Sequence, residues 1–402
     1  MFSFFNSSAE EKSILIDIGN GTITGSIVVF ENNKKPLFVY IVRSFFSISE
    51  KLEAQKLEHE MTALLEQTLK NIMKNGFSGK YWDKKRKTID KVIISFSSPW
   101  FLSKTKTIEI SNEKEFVITK NFLLDVLSKE IILYKKELEN EHGGEYFEVV
   151  EKSIIHSKIN GYALDESIGK NTKNFNASLH VSVVHNVFLS KVMDLVHKHT
   201  HISKDNVHVN TFPLITFSVV RDMFTKESDF MFMDITGEIT DITLVKDEII
   251  DKTVSMPSGK NFLVRQVSKN LNVSTELAES TIKLFLNKKL DEQNTIKVSD
   301  ILVSAEKEWS IYLENALMEL SPTLTLPSSV FLTIDKDYFD IYENFLRIPK
   351  MDQTALFRKN INVNRLDISA MNTFYENQTG FALDEFIVII ALFYKKIFSQ
   401  GE

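Results

Sequence analysis

The chain has 402 residues, of which 43% are hydrophobic and 25% charged, a composition typical of a globular protein with room for two to four domains. The formal net charge of -6 argues against a nucleic-acid surface, which needs clustered lysine and arginine in excess. Cysteine is absent, which excludes disulfides, thiolate zinc sites and cysteine nucleophiles. The beginning, MFSFFNSSAEEK, lacks a signal-peptide pattern, and the longest apolar stretch is shorter than the roughly 20 residues that span a bilayer.

The first predicted elements are three strands joined by tight turns, within residues 13–46. The run ILIDIGNGTITGSIVVF, residues 14–30, places Asp17 near the end of an apolar strand, one residue before a Gly-Asn-Gly turn. A buried carboxylate without a partner is costly. Asp17 is therefore expected to face a cation or hydrogen-bond donors.

The middle of the chain is predicted to contain a helix and then a separate unit. Leucine and methionine recur at helical spacing over 49–74, which predicts an amphipathic packing helix. Residues 89–178 predict a small α+β unit whose helix is capped by Thr119, with ENEHGGEY and SIGKNTKNFN as polar loops. Strands and helices alternate from there to about 227, as in an α/β layer.

The opening pattern returns at residue 230, in FMFMDITGEITDITLVKDEIIDKTVSM. Asp234 ends an apolar strand, and a small-residue turn leads into the next strand, as after Asp17. Helices follow to about residue 320, and then the strand SSVFLTI and C-terminal helices. The restated pattern predicts a duplicated fold.

The repeated turn has a chemical interpretation. A turn of glycine and small polar residues can offer backbone N–H groups to an anion, because no side chain blocks the approach. An aspartate at the end of each strand suits hydrated Mg²⁺, which prefers oxygen ligands and keeps several waters. The pair predicts a polyphosphate site in a cleft, in which Asp17 and Asp234 order Mg²⁺ through water and serve as the candidate catalytic residues.

On these residues the chain resembles the actin-like ATPase superfamily, and within it the FtsA and PilM branch, over nearly its whole length. IDIGNGTITGSIV is similar to the phosphate-1 motif and MDITGEITDITLV to phosphate-2. The segment VSMPSGKNFLVRQVSKNLNVSTELAESTIKLF resembles the stretch in which a Gly-Gly turn leads into helices with an A-E-x-x-K signature. The resemblance assigns binding of ATP to Gly19, Asn20, Gly21, Thr22, Thr236, Gly237, Glu238, Thr240, Asp241, Ser258, Gly259, Glu279 and Lys283.

The resemblance implies a duplicated actin-like, RNase H-like α/β fold with two domains around a nucleotide cleft. The unit at 89–178 resembles the SHS2-type insert called 1C, including its INGYALDESIG segment. The implied subdomains are 1A at 1–88 and 179–227, 1C at 89–178, 2A at 228–262 and 325–402, and a helical 2B at 263–324.

Two departures from the family concern ATP binding. Ser258 replaces a glycine, and Lys283 lies four residues after Glu279 instead of three, which keeps both on one helix face. The adenosine segment aligns with LTIDKDYF, Leu332–Phe339, which has no glycine and contains two aspartates. Close approach of backbone to a nucleotide needs missing Cβ atoms, so ATP is expected to sit differently or to bind weakly.

A third departure concerns hydrolysis. In TFPLITFSVVRDMF, where relatives position the attacking water, the polar candidates are Thr216, Ser218 and Asp222. Positioning is most of what a protein contributes to phosphoryl transfer, so hydrolysis is expected to be slow or absent.

The resemblance implies a cytoplasmic scaffold or adaptor at the inner membrane face, with possible self-association. Kinship with FtsA implies cell division and an FtsZ-like ring protein as partner. Kinship with PilM implies type IV pilus assembly and binding of a short peptide from an inner-membrane pilus protein. An active ATPase or small-molecule kinase, and a pseudo-enzyme that never binds nucleotide, stay open as alternatives.

Four further stretches have competing interpretations. FIVIIALFYKKIF is favoured as a packed helix over a peripheral membrane contact, and MFSFF is a second candidate for lipid or partner contact. In HKHTH, His197, His199 and His201 are favoured as cations near a helix C-terminus over zinc ligands. SSPWF, residues 97–101, is favoured as a turn anchor over a partner surface.

Overall fold

The structure is a computed structural model of the chain. It describes residues 10–50, 53–83, 85–159, 162–163, 168–321, 325–347 and 361–400. The MFSFF stretch and most of INGYALDESIG lie outside the described residues.

The elements follow the mixed α/β order that the sequence predicts. The strands are β1 (Glu11–Ile18), β2 (Thr22–Phe30), β3 (Leu37–Phe45), β4 (Lys91–Phe96), β5 (Leu102–Val117), β6 (Phe147–Ile159), β7 (Tyr162–Ala163), β8 (Asn171–His185), β9 (Val207–Thr211), β10 (Phe230–Ile235), β11 (Thr240–Lys246), β12 (Ile249–Met256), β13 (Ser329–Ile334), β14 (Asn362–Arg365) and β15 (Glu376–Asn377). The helices are α1 (Ala54–Asn75), α2 (Lys120–Glu141), α3 (Asn186–Thr200), α4 (Phe212–Met223), α5 (Lys260–Leu271), α6 (Thr275–Leu286), α7 (Glu292–Leu320), α8 (Phe339–Leu346), α9 (Ile368–Met371) and α10 (Glu385–Gln400).

Two sheets repeat one topology, which confirms the predicted duplication. The first has the order β15-β3-β2-β1-β4-β9 and the second β12-β11-β10-β13-β14. In each, the first strand pairs antiparallel with the second and parallel with the fourth. The hairpins β1–β2 and β10–β11 therefore occupy equivalent places in the two halves.

The strands β1 and β10 are apolar at almost every position because both of their faces are covered. Helices α4 and α10 share one hydrophobic core with residues of both sheets, including Leu15 of β1 and Phe232 of β10. In α10 the run from Ile387 to Ala391 is buried, which confirms the packed-helix interpretation. Within the described chain, no helix combines the length and apolar character needed to cross a bilayer.

The insert forms a sheet of its own, ordered β5-β8-β6-β7, with α2 packed beside it. Thr119 caps α2 as predicted, since its Oγ1 accepts a hydrogen bond from the Phe122 amide at 3.1 Å. Identity with an SHS2 unit and the exact subdomain boundaries stay predictions.

Two details of the predicted insert are wrong. The predicted insert includes the strand at 91–96, but this strand pairs with β1 and β9 in the six-stranded sheet, where residues 92–96 are buried. The predicted loop SIGKNTKNFN largely forms the start of β8, where Phe175 is fully buried in the insert's core.

The three histidines lie at the end of α3, as the favoured interpretation requires. His197 and His199 belong to its last turn, and His201 follows in a left-handed conformation. The ring of His199 faces Glu66 at 3.3 Å. No group of three or more potential metal ligands among His, Cys, Asp and Glu occurs in the described chain.

Candidate functional site

The turns of the two equivalent hairpins meet directly. A Cβ atom added to Gly21 would lie 2.6 Å from the Cα of Gly237, and one added to Gly237 would lie 2.5 Å from the Cα of Gly21. Real Cβ atoms do not approach other atoms so closely, so glycine is required at both positions. The backbones of the two halves are therefore in van der Waals contact at the predicted phosphate site.

Asn20 links the two turns through its side chain. Its Nδ2 donates to the Thr236 Oγ1 at 2.7 Å and to the Ser98 carbonyl at 2.6 Å. Its Oδ1 accepts from the Glu238 amide at 2.6 Å. A backbone donor that an anion would need is thus already occupied by the protein.

The backbone amides at the N-terminus of α5 are likewise already bonded within the protein. The amides of Gly259, Lys260 and Asn261 donate to carbonyl oxygens of the second turn, residues 236–238, at 2.8 to 3.0 Å. The first amides of a helix have no partner within the helix and can bind an anion when they are free. Here they are bonded to the second turn. The second turn is therefore fixed to α5 by backbone contacts.

The two aspartates predicted to hold Mg²⁺ are buried neighbours. Asp17 is 3% exposed and Asp234 is 1% exposed. Burial raises the pKa of both well above the ordinary value; Asp384 raises that of Asp17 further, and Asp241 and then Asp17 raise that of Asp234. One oxygen of each carboxyl, Oδ1 of Asp17 and Oδ2 of Asp234, has no hydrogen-bond partner in the described chain.

Sequence reasoning missed two cations at this place. The Lys260 Nζ donates to the Asp335 Oδ2 at 2.6 Å, and the Arg43 Nη2 lies 3.7 Å from the same oxygen. The Arg43 Nε lies 3.5 Å from the Asp384 Oδ2. Burial opposes ionisation of Asp335, but the two cations offset it and hold its pKa below the ordinary value. A signal was present in the sequence, because Arg43 interrupts the apolar strand LFVYIVRSF.

The predicted site residues divide into two groups. Asp17, Gly19, Gly21, Thr22, Thr236 and Gly237 line one crevice, together with Arg43, Lys260 and Asp335. Asn20 and Gly259 adjoin it through the contacts described above. Asp234, Glu238, Thr240, Asp241, Ser258, Glu279 and Lys283 do not line it.

Three of the residues away from the crevice, Glu238, Thr240 and Asp241, have structural partners. Glu238 is held by Arg265, with Nη2 to Oε2 at 2.6 Å. Thr240 donates to the Ser258 carbonyl at 2.8 Å. Asp241 accepts from the Ser255 hydroxyl.

Glu279 and Lys283 form an ion pair of 2.9 Å along α6. The predicted departure of one residue in their spacing keeps them on one helix face, as expected.

SSPWF acts as the predicted turn anchor. The Trp100 indole Nε1 donates to the Gly19 carbonyl at 2.8 Å. Its ring stacks on Phe188 with centroids 4.9 Å apart. The segment that follows β4 thus supports the first turn from outside the crevice.

The crevice between the turns does not fit Mg-ATP. Its volume is about 10 Å³, which is room for one water molecule. The amides of Glu238 and of residues 259–261 are bonded to the chain itself, and Arg43 and Lys260 are paired with its own carboxylates. The unpartnered oxygens of Asp17 and Asp234 are the feature of this place that suits a cation. They supply one oxygen from each of two carboxyl groups.

Comparison with known proteins places the fold. No protein-family model and no curated protein matches the chain. The PilM-PilN type IV pilus biogenesis complex matches with a TM-score of 0.59 and 11% identity, over 96% of this chain and 98% of that one. EutJ from Carboxydothermus hydrogenoformans has a TM-score of 0.43 at 10% identity, over 96% of this chain and 90% of that one. A Bacteroides thetaiotaomicron protein with an actin-like ATPase fold has a TM-score of 0.41 at 11% identity, over 98% of this chain and 99% of that one.

Identities this low concern the fold alone. The full-length match to PilM agrees with the two sheets of equal topology and their facing hairpins. The chain therefore has the actin-like ATPase fold, with two domains and an α+β insert.

Proposed function

We propose that this protein is an actin-fold scaffold that acts by binding protein partners and not by turning over nucleotide. The observation that carries the proposal is the backbone contact between Gly21 and Gly237, which leaves about 10 Å³ between the two turns. A triphosphate needs the turns apart and their amides free. In this conformation the two turns touch, and the Glu238 amide of the second turn is already bonded to Asn20.

The proposed role is PilM-like. The solved complex that matches over nearly the whole chain is PilM bound to PilN, which supports a pilus-type partner. The partner would be a short peptide of an inner-membrane protein, and this chain would act peripherally at the cytoplasmic face of that membrane. Self-association of the scaffold is part of the same proposal.

An FtsA-like role in cell division is the second candidate, with an FtsZ-like ring protein as partner. The sequence of residues 234–241, DITGEITD, supports it. The burial of α10 speaks against a membrane-inserting use of this helix, because insertion would expose the core it shares with α4. That burial favours the PilM-like role.

Calorimetry with Mg-ATP on the full chain tests the nucleotide part of the proposal. We expect no heat of binding, since the cations of the crevice are neutralised internally. Micromolar binding that Asp234→Ala abolishes would contradict the proposal and favour a nucleotide switch. Turnover of ATP that depends on Asp17 or Asp234 would favour the ATPase alternative.

Capture experiments test the partner. Immobilised full-length protein is offered N-terminal peptides of inner-membrane pilus proteins and, separately, the C-terminal tail of FtsZ. Retention of a pilus peptide and not of the FtsZ tail is the expected result. Retention of the tail alone would replace the PilM-like role by the FtsA-like one.

A further inference from the structure

A large cavity lies beside the crevice, and the sequence analysis predicts no role for it. Its volume is about 690 Å³, within the range of small-molecule sites. It is bounded by the end of β3, the loop after β13, α9 and the segment that leads into α10. It shares Arg43 and Asp335 with the crevice.

The cations that line the cavity are neutralised or solvated. Arg43 is paired with Asp384 and Asp335, as described above. The Arg365 Nε lies 2.9 Å from the Asp367 Oδ2, and its guanidinium stacks on a phenylalanine ring. Lys336 is exposed to solvent. An anionic ligand therefore finds no buried unpaired cation here.

The carboxylates differ from one another. Asp335 and Asp367 are paired, and Asp384 accepts from the Thr24 hydroxyl at 2.7 Å and from the Ile387 amide at 2.9 Å. Glu385 is 5% exposed and lines the cavity. Its carboxyl accepts a hydrogen bond from its own backbone amide, and it has no ion-pair partner among the described residues.

A buried carboxyl without a cation beside it is unfavourable when ionised. Burial, then the neighbouring Asp384 and also Asp335, raise the pKa of Glu385 to about 8, although Arg43 opposes the shift. The group therefore stays protonated at neutral pH until a cation approaches. The walls next to it are apolar, formed by Ile41, Val42 and Leu383, with Phe381 70% exposed at the cavity.

We propose that this cavity binds a guanidinium or ammonium group on an apolar stem, with Glu385 as its anionic partner. The apolar walls take the stem, and the cation pairs with a buried carboxyl that lines the cavity and has no ion-pair partner among the described residues. Such a cation is found on a small amine and on a basic side chain of a partner peptide. The proposal does not depend on the scaffold role.

Calorimetry with butylguanidinium, and with butylurea as its neutral isostere, tests the proposal on the full chain. Butylguanidinium is expected to bind at least ten times more tightly than butylurea. Because Glu385 must lose its proton to pair with the cation, binding at pH 7 is expected to release close to one proton, about 0.9 for a pKa of about 8. Titrations in buffers of different ionisation enthalpy measure that release.

Two variants localise the effect. Glu385→Gln keeps the size of the side chain and is expected to abolish both the preference for the cation and the proton release. Asp337→Asn, an exposed carboxyl outside the cavity, is the matched control and is expected to change neither. Equal affinity for the two probes in the wild type, or unchanged proton release in Glu385→Gln, would overturn the proposal. Should the variant fail to fold, the comparison of probes on the wild type still decides.

The source of the cation is distinguished by a third probe. A blocked peptide with one arginine between two leucines is compared with butylguanidinium, and its citrulline analogue serves as the neutral control. Tighter binding of the arginine peptide supports a partner's side chain as the ligand. Tighter binding of butylguanidinium supports a small amine.

Discussion

The two turns that meet at the crevice have the same topology but are held by different chemistry. The first turn is supported by neutral hydrogen bonds from the segment after β4, including those from the Ser97 amide to the Ile18 carbonyl and from Trp100 to Gly19. The second turn is supported by the amides of α5 and by the pair of Glu238 with Arg265. A duplicated fold thus fixes where the turns lie and leaves open how each is anchored.

The aspartates before the turns show the same divergence. Each faces a hydroxyl on the neighbouring parallel strand, since Asp17 is in register with Ser95 and Asp234 with Thr333. Thr333 donates to Asp234 at 3.0 Å, whereas the Ser95 hydroxyl and one oxygen of Asp17 have no partner among the described residues. Equivalent positions in the two sheets therefore carry the same types of residue. Their hydrogen bonds, however, are more complete in the second sheet than in the first.

Removing the anchor of the second turn is expected to have the largest effect. Arg265→Ala leaves Glu238, which is 4% exposed, as a buried charge without its cation. Breaking a buried pair from one side costs about 3 to 5 kcal/mol in the free energy of unfolding. Denaturant unfolding measures the loss.

The matched variant for the first turn is Trp100→Phe. It leaves the Gly19 carbonyl without its indole donor, which costs about 1 to 3 kcal/mol. If Trp100→Phe destabilised the protein more than Arg265→Ala, the contrast between a neutral and a charged anchor would be wrong.

The contact between the turns is broken by a single methyl group. In Gly21→Ala the new Cβ meets the backbone of Gly237 at 2.6 Å, so no side chain can move aside. We expect a loss of about 3 kcal/mol, at the upper end of overpacking effects. Gly19→Ala is the control in the same turn, because its Cβ would lie 3.1 Å from the Thr22 carbonyl and a small shift relieves it. Equal unfolding curves for the two variants would refute the close contact.

The buried aspartates predict a pH dependence of stability. A carboxyl whose pKa is raised by folding contributes stability that is complete below its unfolded pKa of about 3.9 and is lost as the pH rises through the folded pKa. Asp17→Asn and Asp234→Asn remove that loss, so each variant should gain stability relative to the wild type above about pH 4. Urea unfolding at several pH values measures the gain.

The two variants are expected to change in the same direction. Burial raises the pKa of both carboxyls; Asp241 and Asp17 add to the shift of Asp234 against the Thr333 hydrogen bond, and Asp384 adds to the shift of Asp17 against Arg43. A gain is therefore expected for both Asp17→Asn and Asp234→Asn. A decline in relative stability with rising pH for either variant would show that the carboxyl is ionised and satisfied in the folded protein.

The sequence predicted the fold better than the site. Strand hydrophobicity and the repeated Asp-turn pattern were sufficient for the duplicated sheets, because burial on both faces leaves a continuous apolar run. The pattern could not show that Gly21 and Gly237 touch, since a glycine serves equally for anion binding and for close backbone packing. Arg43 and Lys260 were missed because their partners, Asp335 and Asp384, come from distant parts of the chain.

The pair Glu279 and Lys283 is expected to have the smallest effect of all. Both side chains are partly exposed to solvent and one turn apart on α6, and they do not line the crevice. Exposed pairs of this spacing contribute about 0.3 to 0.5 kcal/mol, so Lys283→Ala should shift the unfolding midpoint only slightly. Adding salt should remove most of that difference, because exposed ion pairs are screened. Lys283 also lowers the pKa of Asp335. A loss above about 1 kcal/mol would therefore mean that Lys283 stabilises the protein through Asp335, together with Lys260 and Arg43.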